Sequence, residues 1–233
     1  MINKTVKTHK GKLSVAMPES LDEITLGQMI TLQSAEKLGD AEAISILSGI
    51  PAEELKQIKD ASELSVFSEL ILKLAFSIKN LYNSDAIPNL VILDVDGVSK
   101  RMKVISDLAI EPAGAYWAAR DIIADEIASH IKKYGNDDWQ ANFNPSLQVC
   151  SKLLAQYFYC RATGKPYDEY QAAAFVNVIN TMRVTEALPI SKHFFTSYPH
   201  FLKVKTGFWH QFRQLWKNVQ EYRRLKNLST LIP

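Results

Sequence analysis

The stretch NLVILDVDGVSK, residues 89–100, separates two folds. An apolar run ends in Asp94, and Asp96 and Gly97 follow. One reading is a phosphoryl-transfer loop, with Asp94 as nucleophile and Asp96 as acid and base beside Mg²⁺. That chemistry needs a parallel α/β sheet, so strands should alternate with helices downstream. From about residue 112 the sequence is helical in pattern, with few strand runs. The acids of GNDD, 135–138, sit in a loop with no sheet to organise them. The other reading is local. Asp-Gly between LVILDV and VSKRMKVI matches a type I′ turn, which needs φ > 0 at both central residues. The sequence therefore predicts a two-stranded hairpin over 89–106 and no phosphatase.

On the N-terminal side, 17–88 reads as one helical unit. Thr25 caps a helix whose apolar face is Leu26, Met29, Ile30, Leu32 and Leu38, with Gly39 as its stop. DAEAISILSGI follows, capped by Asp40 and ended near Gly49. PAEELKQIKD starts on Pro51, with Glu53 and Glu54 near the positive end of the helix dipole. SELSVFSELILKLAFSIKNLYN is a longer fourth helix. Residues 1–16 carry β-branched residues without a sustained pattern and read as an extended basic arm.

On the C-terminal side, 107–233 reads as a second helical unit. Pro112 starts a helix running to about Lys133, with Gly135 as its stop. Ala113, Gly114, Ala115, Ala118 and Ala119 give it a small-residue surface for close packing. Its Asp121, Asp125 and Glu126 read as a solvated face, because no matching His or carboxylate stands on another helix. SLQVCSKLLAQYFYCRATG is a helix ended by Gly164. KPYDEYQAAAFVNVINTMRVTEALPI is the next, ended by Pro189, and SKHFFTSYPHFLKVKTG reads as one turn and a loop. The last helix is FWHQFRQLWKNVQEYRRLKNL. The expected fold is mainly α, a helical bundle with one small β-hairpin and an extended N-terminal arm.

Composition sets wide bounds. The 233 residues are 47% hydrophobic and 22% charged, enough for a sizeable core. The apolar run VFSELILKLAFSI, 66–78, contains Glu69 and Lys73 and is too short to span a bilayer. The first residues lack an apolar h-region, so no secretory signal is expected. Cys150 and Cys160 share one helix ten residues apart, out of disulfide reach, and fit buried thiols in a reducing compartment. His9, His130, His193, His200 and His210 lack thiolate or carboxylate partners at zinc spacing. TGKPY fails as a phosphate loop, since Tyr159 and Pro166 stand where Gly and Ser or Thr belong. No metal, cofactor or small-molecule substrate is expected.

Charge is uneven. The net charge is +2, yet residues 1–12 hold +4 through Lys4, Lys7, Lys10 and Lys12, and residues 201–233 hold +6, which leaves −8 between. Basic ends on an acidic body suit docking on an acidic partner, self-assembly, or nearness to nucleic acid. In the last helix Phe208, Trp209, Phe212 and Trp216 interleave with Arg213, Lys217, Arg223 and Arg224. Three readings stay open: a core helix with a cationic side, a helix that docks a partner or nucleic acid, and an interfacial membrane helix diluted by Gln211, Gln214, Asn218 and Gln220.

The order of pieces resembles a family of tailed-phage proteins, the head-to-tail connector (adaptor or ring) proteins, in the direction of the crAss-like phages. The likeness lies in MPESLDEITLGQMITLQ, AISILSGIPAEELKQI, the hairpin, and KVISDLAIEPAGAYWAARDIIAD, over about residues 15–130. Glu23, Thr25, Gly27 and Gln28 match the family pattern, while Leu21 stands where Trp is usual. FNPSL, YFYC and ALPISKHFF extend it loosely. The resemblance implies a virion component without enzymatic activity, assembled in the host cytoplasm. It implies a homo-oligomeric ring of about twelve copies, in contact with portal and adjacent tail or ring proteins, around a channel that passes packaged DNA. A tail assembly chaperone and a nucleic-acid-binding module are the alternatives. The expected partner contacts are the four N-terminal lysines and the eight aromatic and basic residues of the last helix. No membrane is involved in this reading.

Overall fold

The computed structural model of the protein describes residues 1–35, 39–78, 80–83, 86–104, 112–135 and 143–202. The chain divides into a unit Met1–Phe195 and a unit Thr196–Pro233. Only the first is described below, apart from the helix end that runs past residue 195. It is mainly helical, with two small two-stranded antiparallel sheets.

The second sheet follows the Asp-Gly signal. β3 (Leu90–Val95) pairs with β4 (Val98–Lys103), with Val95 opposite Val98 across the turn. Asp96 and Gly97 both take positive φ, 55° and 77°, as a type I′ turn demands. Val91, Leu93 and Val95 face inward and are buried. Lys100, paired with Leu93, shares that inner face, its Nζ donating to the Ala162 carbonyl at a helix end, 2.7 Å away.

The first sheet corrects the expectation of an extended arm. Residues 1–16 are not a loose arm, and the described residues form two hairpins rather than one. β1 (Ile2–Thr8) pairs with β2 (Gly11–Met17) in full register, Ile2 opposite Met17 and Thr8 opposite Gly11. Alternation places Val6 and Val15 on one face, both fully buried together with Met17. The signal was hidden at the turn. His9-Lys10 is no standard hairpin dipeptide, and the positive φ falls one residue later, on Gly11 at 137°. The Thr8 hydroxyl completes the turn, donating to the Gly11 carbonyl and accepting from the Lys10 amide.

The helices are α1 (Leu26–Ser34), α2 (Asp40–Ser48), α3 (Ala52–Leu55), α4 (Ser65–Ile78), α5 (Ala113–Tyr134), α6 (Leu147–Thr163), α7 (Glu169–Ala174), α8 (Val176–Ile179) and α9 (Val184–Leu202). Gly39, rather than Asp40, holds the N-cap position of α2, and Gly49 and Gly164 close α2 and α6 in the left-handed conformation. Leu38 lies outside the described residues. Two expectations change near the C-terminal end of the unit. The single helix expected from Lys165 to Ile190 is three helices, broken at Phe175 and again between Asn180 and Val184. Pro189 does not end a helix; α9 runs through it and takes in residues 191–202 of the stretch expected to be one turn and a loop, the rest of which lies outside the described residues. Proline inside a helix loses one hydrogen bond and costs roughly 3 kcal/mol. Burial of Leu188, Ile190, Phe194 and Phe195 around it supplies the compensating apolar contact.

α6 is the axis. Residues 153–159 are buried on every side, so its central turns are covered around the circumference, while Gln148 and Lys152 nearer its start are exposed. α1, α5, α7, α8 and the β3–β4 hairpin pack on it. Phe194 of α9 meets Tyr157 edge-on at 4.8 Å. Ala115 and Ala119 of α5 are buried, as their small size invites, and a Cβ on Gly114 would overlap the Tyr167 ring. Tyr167 in turn donates to Gln156 Oε1 of α6, 2.8 Å away.

The two halves are tied by a short antiparallel joint. Leu26 N donates to Met182 O at 2.7 Å, Gly27 N to Asn180 O at 2.9 Å, and Val184 N to Ile24 O at 2.9 Å. The Asn180 side chain accepts from Ser151 Oγ of α6, 2.6 Å away. Thr25 and Gln28 form a reciprocal capping box at the start of α1. The Gln28 amide also donates to the Ile46 and Leu47 carbonyls near the end of α2, at 3.2 and 3.0 Å. Gly27 suits this close approach, since a Cβ there would lie 3.1 Å from both Cβ and O of Asn180, which would have to give by a few tenths of an ångström although it is held by the joint and by Ser151. Thr25, Gly27 and Gln28, which carry the phage-protein resemblance, are therefore fixed by this joint. Gly27→Ala should lower unfolding stability by about 1–3 kcal/mol in urea titrations. Gly39→Ala, where a Cβ meets nothing within 4 Å, should lose far less.

Burial also sets a pH limit. The Cys150 thiol is pushed up to about 12, chiefly by burial, with Ser191 opposing and the Glu126 carboxylate adding. The half-buried Tyr82 hydroxyl is likewise pushed up to about 12, chiefly by burial, and donates to the Pro145 carbonyl. Both stay protonated in the fold where the unfolded chain, with ordinary values of 9.0 and 10.0, already ionises. Their stabilisation is complete below about pH 9 and is lost as pH rises towards 12. The urea midpoint should fall from pH 9 to 11, and less steeply in Cys150→Ala.

Candidate interaction surface

The four N-terminal lysines, expected as one basic arm, divide between the two faces of the first hairpin. Lys4 shares the inner face with Val6 and Val15 and is half-buried. Its Nζ donates to the Glu63 carbonyl at 2.6 Å and lies 6.0 Å from the centre of the Phe67 ring. Lys4 is thus part of the packing. Lys7 and Lys12 stand directly opposite each other on the outer face, and Lys10 lies in the turn; all three are exposed.

The hairpin is mounted on the helical body. His9 N donates to Gln57 O, and Lys59 N donates to Lys7 O, both at 3.0 Å, so residues 57–59 extend the edge of β1. This brings a fourth exposed lysine, Lys59, beside Lys7. Sequence reading missed it, because only the pairing of the edge brings it there. Two acids are near. Glu63 Oε2 accepts from the Lys7 amide at 2.9 Å, and Asp60 Oδ1 from the Ser62 amide at 2.8 Å. Hydrogen bonds to Ser62 hold the Asp60 carboxyl below the usual carboxylate range. Both acids are committed to backbone donors. Among the described residues, the ion pairs are Lys56–Glu53, Arg120–Asp121 and those of the terminal amine with Glu19 and Glu23. Lys7, Lys10, Lys12 and Lys59 belong to none of them.

The rest of the outer face carries no acid. Asn3, Thr5 and Ser14, all exposed, and the half-buried Ala16 share it with Lys7 and Lys12. Like charges placed directly opposite on a sheet repel, so the Lys7–Lys12 pair works against the hairpin's own stability.

The remaining candidates fall elsewhere. Phe208, Trp209, Phe212, Arg213, Trp216, Lys217, Arg223 and Arg224 lie outside the described residues. Asp94 stands on the exposed face of β3 opposite Ser99, and Asp96 lies in the turn. On α5, Asp121 pairs with Arg120, while Glu126 Oε1 accepts from the Ser146 amide just before α6. The Glu126 contact replaces its expected place on a solvated face, because Ser146 supplies a backbone donor there. His130 packs against Phe143 and Tyr134. Cys150 is buried and Cys160 half-buried, and neither forms a disulfide. Among the described residues no group of His, Cys, Asp or Glu could hold a metal ion, and no helix is long and apolar enough to cross a membrane.

No protein-family model, curated protein or solved structure matches the chain.

The two classes of lysine should separate experimentally. Lys4→Ala removes a bond to a half-buried carbonyl and should lower stability by about 1 kcal/mol in chemical denaturation. Lys12→Thr removes only repulsion on an exposed strand and should leave the urea midpoint unchanged or raised.

Proposed function

We propose that the chain is a structural subunit of a tailed-phage head-to-tail connector, a ring or adaptor protein that joins portal to tail in the virion. The observation that carries the reading is the rigid mounting of a cationic hairpin on an acidic body. Lys7, Lys10, Lys12 and Lys59 are held at one edge by two strands and by backbone bonds to residues 57–59. A protein that works by assembly needs surfaces held in fixed geometry rather than a catalytic cleft. Heterologous side-to-side contacts that close by rotation would then build the ring. The resemblance supports the same role through residues that prove to be structural: Thr25, Gly27 and Gln28 hold the two halves together. In this role the chain performs no reaction. It meets other copies of itself, portal, and the adjacent tail or ring proteins.

Mass measurement tests the reading. In the finished particle the chain should form a closed ring of about a dozen copies. A chain found in infected-cell extract and absent from the particle would instead be an assembly chaperone. Removal of residues 207–233 should abolish ring formation while the circular dichroism of the remaining chain stays helical. Full rings from the truncated chain would overturn the assignment of assembly to that end.

A further inference from the structure

The outer face of the first hairpin has a composition that selects its partner. Its side chains are Asn3, Thr5, Lys7, Lys12, Ser14 and Ala16, with Lys10 in the turn and Lys59 on the neighbouring edge. All but the half-buried Ala16 are exposed. A protein partner would call for an apolar centre in the contact, with aromatic or aliphatic anchors. The lone methyl of Ala16, at the far end of the strands from the lysines, is no such anchor. The face offers ammonium groups surrounded by hydroxyl and amide donors, the groups that contact phosphate and sugar oxygens. The charges are lysines, which act as point charges on phosphates. No arginine stands on the face to read a guanine edge by a two-pronged bond. The one ring near the face is the exposed His9 of the turn; no Phe, Tyr or Trp stands on it as a platform for successive unpaired bases, which argues against a single strand. A two-stranded ribbon is also narrow enough to lie in or along the major groove of a duplex.

We infer that the outer face of the β1–β2 hairpin, with Lys59, binds the phosphate backbone of double-stranded DNA without regard to sequence. The inference names a partner for the surface used in the connector reading and rests on that reading for the presence of DNA nearby. The contact itself follows from the composition of the face. Repulsion between Lys7 and Lys12 is relieved when phosphates lie between and beside them. Of the nearby acids, Glu63 accepts from the Lys7 amide and Asp60 from the Ser62 amide, and neither pairs with a lysine of the face.

The experiment is fluorescence anisotropy of the full chain with two unrelated 30-base-pair duplexes (probe length ~30 pairs, enough for several helical turns). Salt is varied from about 50 to 200 mM. It is run beside Lys7→Gln/Lys10→Gln/Lys12→Gln/Lys59→Gln and the matching quadruple Lys→Arg variant. Four phosphate contacts give a log–log salt slope of about −3.6, which is about a hundredfold in affinity over that range. The wild-type slope should exceed that of the glutamine variant by about three to four. The arginine variant should restore it, and both duplexes should bind alike. A thermal melt of the glutamine variant should match wild type, since none of the four side chains is engaged in an ion pair.

An unchanged slope in the glutamine variant overturns the inference, as does a strong preference for one duplex. Loss of self-association with DNA binding intact also overturns it and makes the face a contact between copies. The connector reading fails separately. A chain that shows the slope difference yet forms no ring in the particle sinks that reading and leaves this contact standing. Closed rings with no slope difference do the reverse.

Discussion

The antiparallel joint between residues 24–27 and 180–184 is the constraint from which the remaining structure follows. The central turns of α6, residues 153–159, are buried around their full circumference, so every side of them must be covered. Cover on one side comes from α1 and on the others from α5, α7, α8 and the second hairpin. α1 can lie there only if its start is fixed against the break between α8 and α9. Three backbone hydrogen bonds, a capping box and a missing Cβ at Gly27 do that. The Asn180 side chain then links the joint to Ser151 on α6 itself.

The same joint accounts for how the surface is held. Gln28 ties the start of α1 to the end of α2, and α2 packs against β2 and α4. The first hairpin therefore sits on elements that are themselves anchored to the centre. Burial of Val6, Val15 and Met17 holds its inner face, and Lys4 adds a polar clasp to Glu63. What remains for solvent is an outer face that carries charge and small polar groups. Position and chemistry are thus separated by the alternation of a strand: one side packs, the other is offered.

Legibility in the sequence followed the strength of local constraints. Asp96-Gly97 was readable because two successive positive φ values admit few residues, and Thr25-x-x-Gln28 announces a helix start by reciprocal hydrogen bonding. Gly49 and Gly164 mark ends for the same reason as Gly97. The first hairpin was not readable, because its turn dipeptide His9-Lys10 is ordinary and Gly11 carries the unusual angle. The break at 180–184 was invisible, since apolar spacing runs on through it and the joint partner is more than a hundred residues away. Pro189 misled because its local penalty was weighed without the burial around it. In the candidate surface, the charge of Lys7, Lys10 and Lys12 was plain. The departure of Lys4 into the core and the arrival of Lys59 depended on pairing that no local pattern encodes.

The distance in sequence between Ile24 and Val184 has a consequence for synthesis. Loop closure over that span is entropically demanding, and long-range pairing slows folding. While the chain is being made, α1 emerges long before its partner strand exists. The apolar face of α1 must then wait, partly uncovered, until α6, α8 and the start of α9 have left the ribosome. The joint acts as a completion check: a chain cut short before residue 180 has no means to close, and is left with exposed apolar surface of the kind that proteases and chaperones recognise.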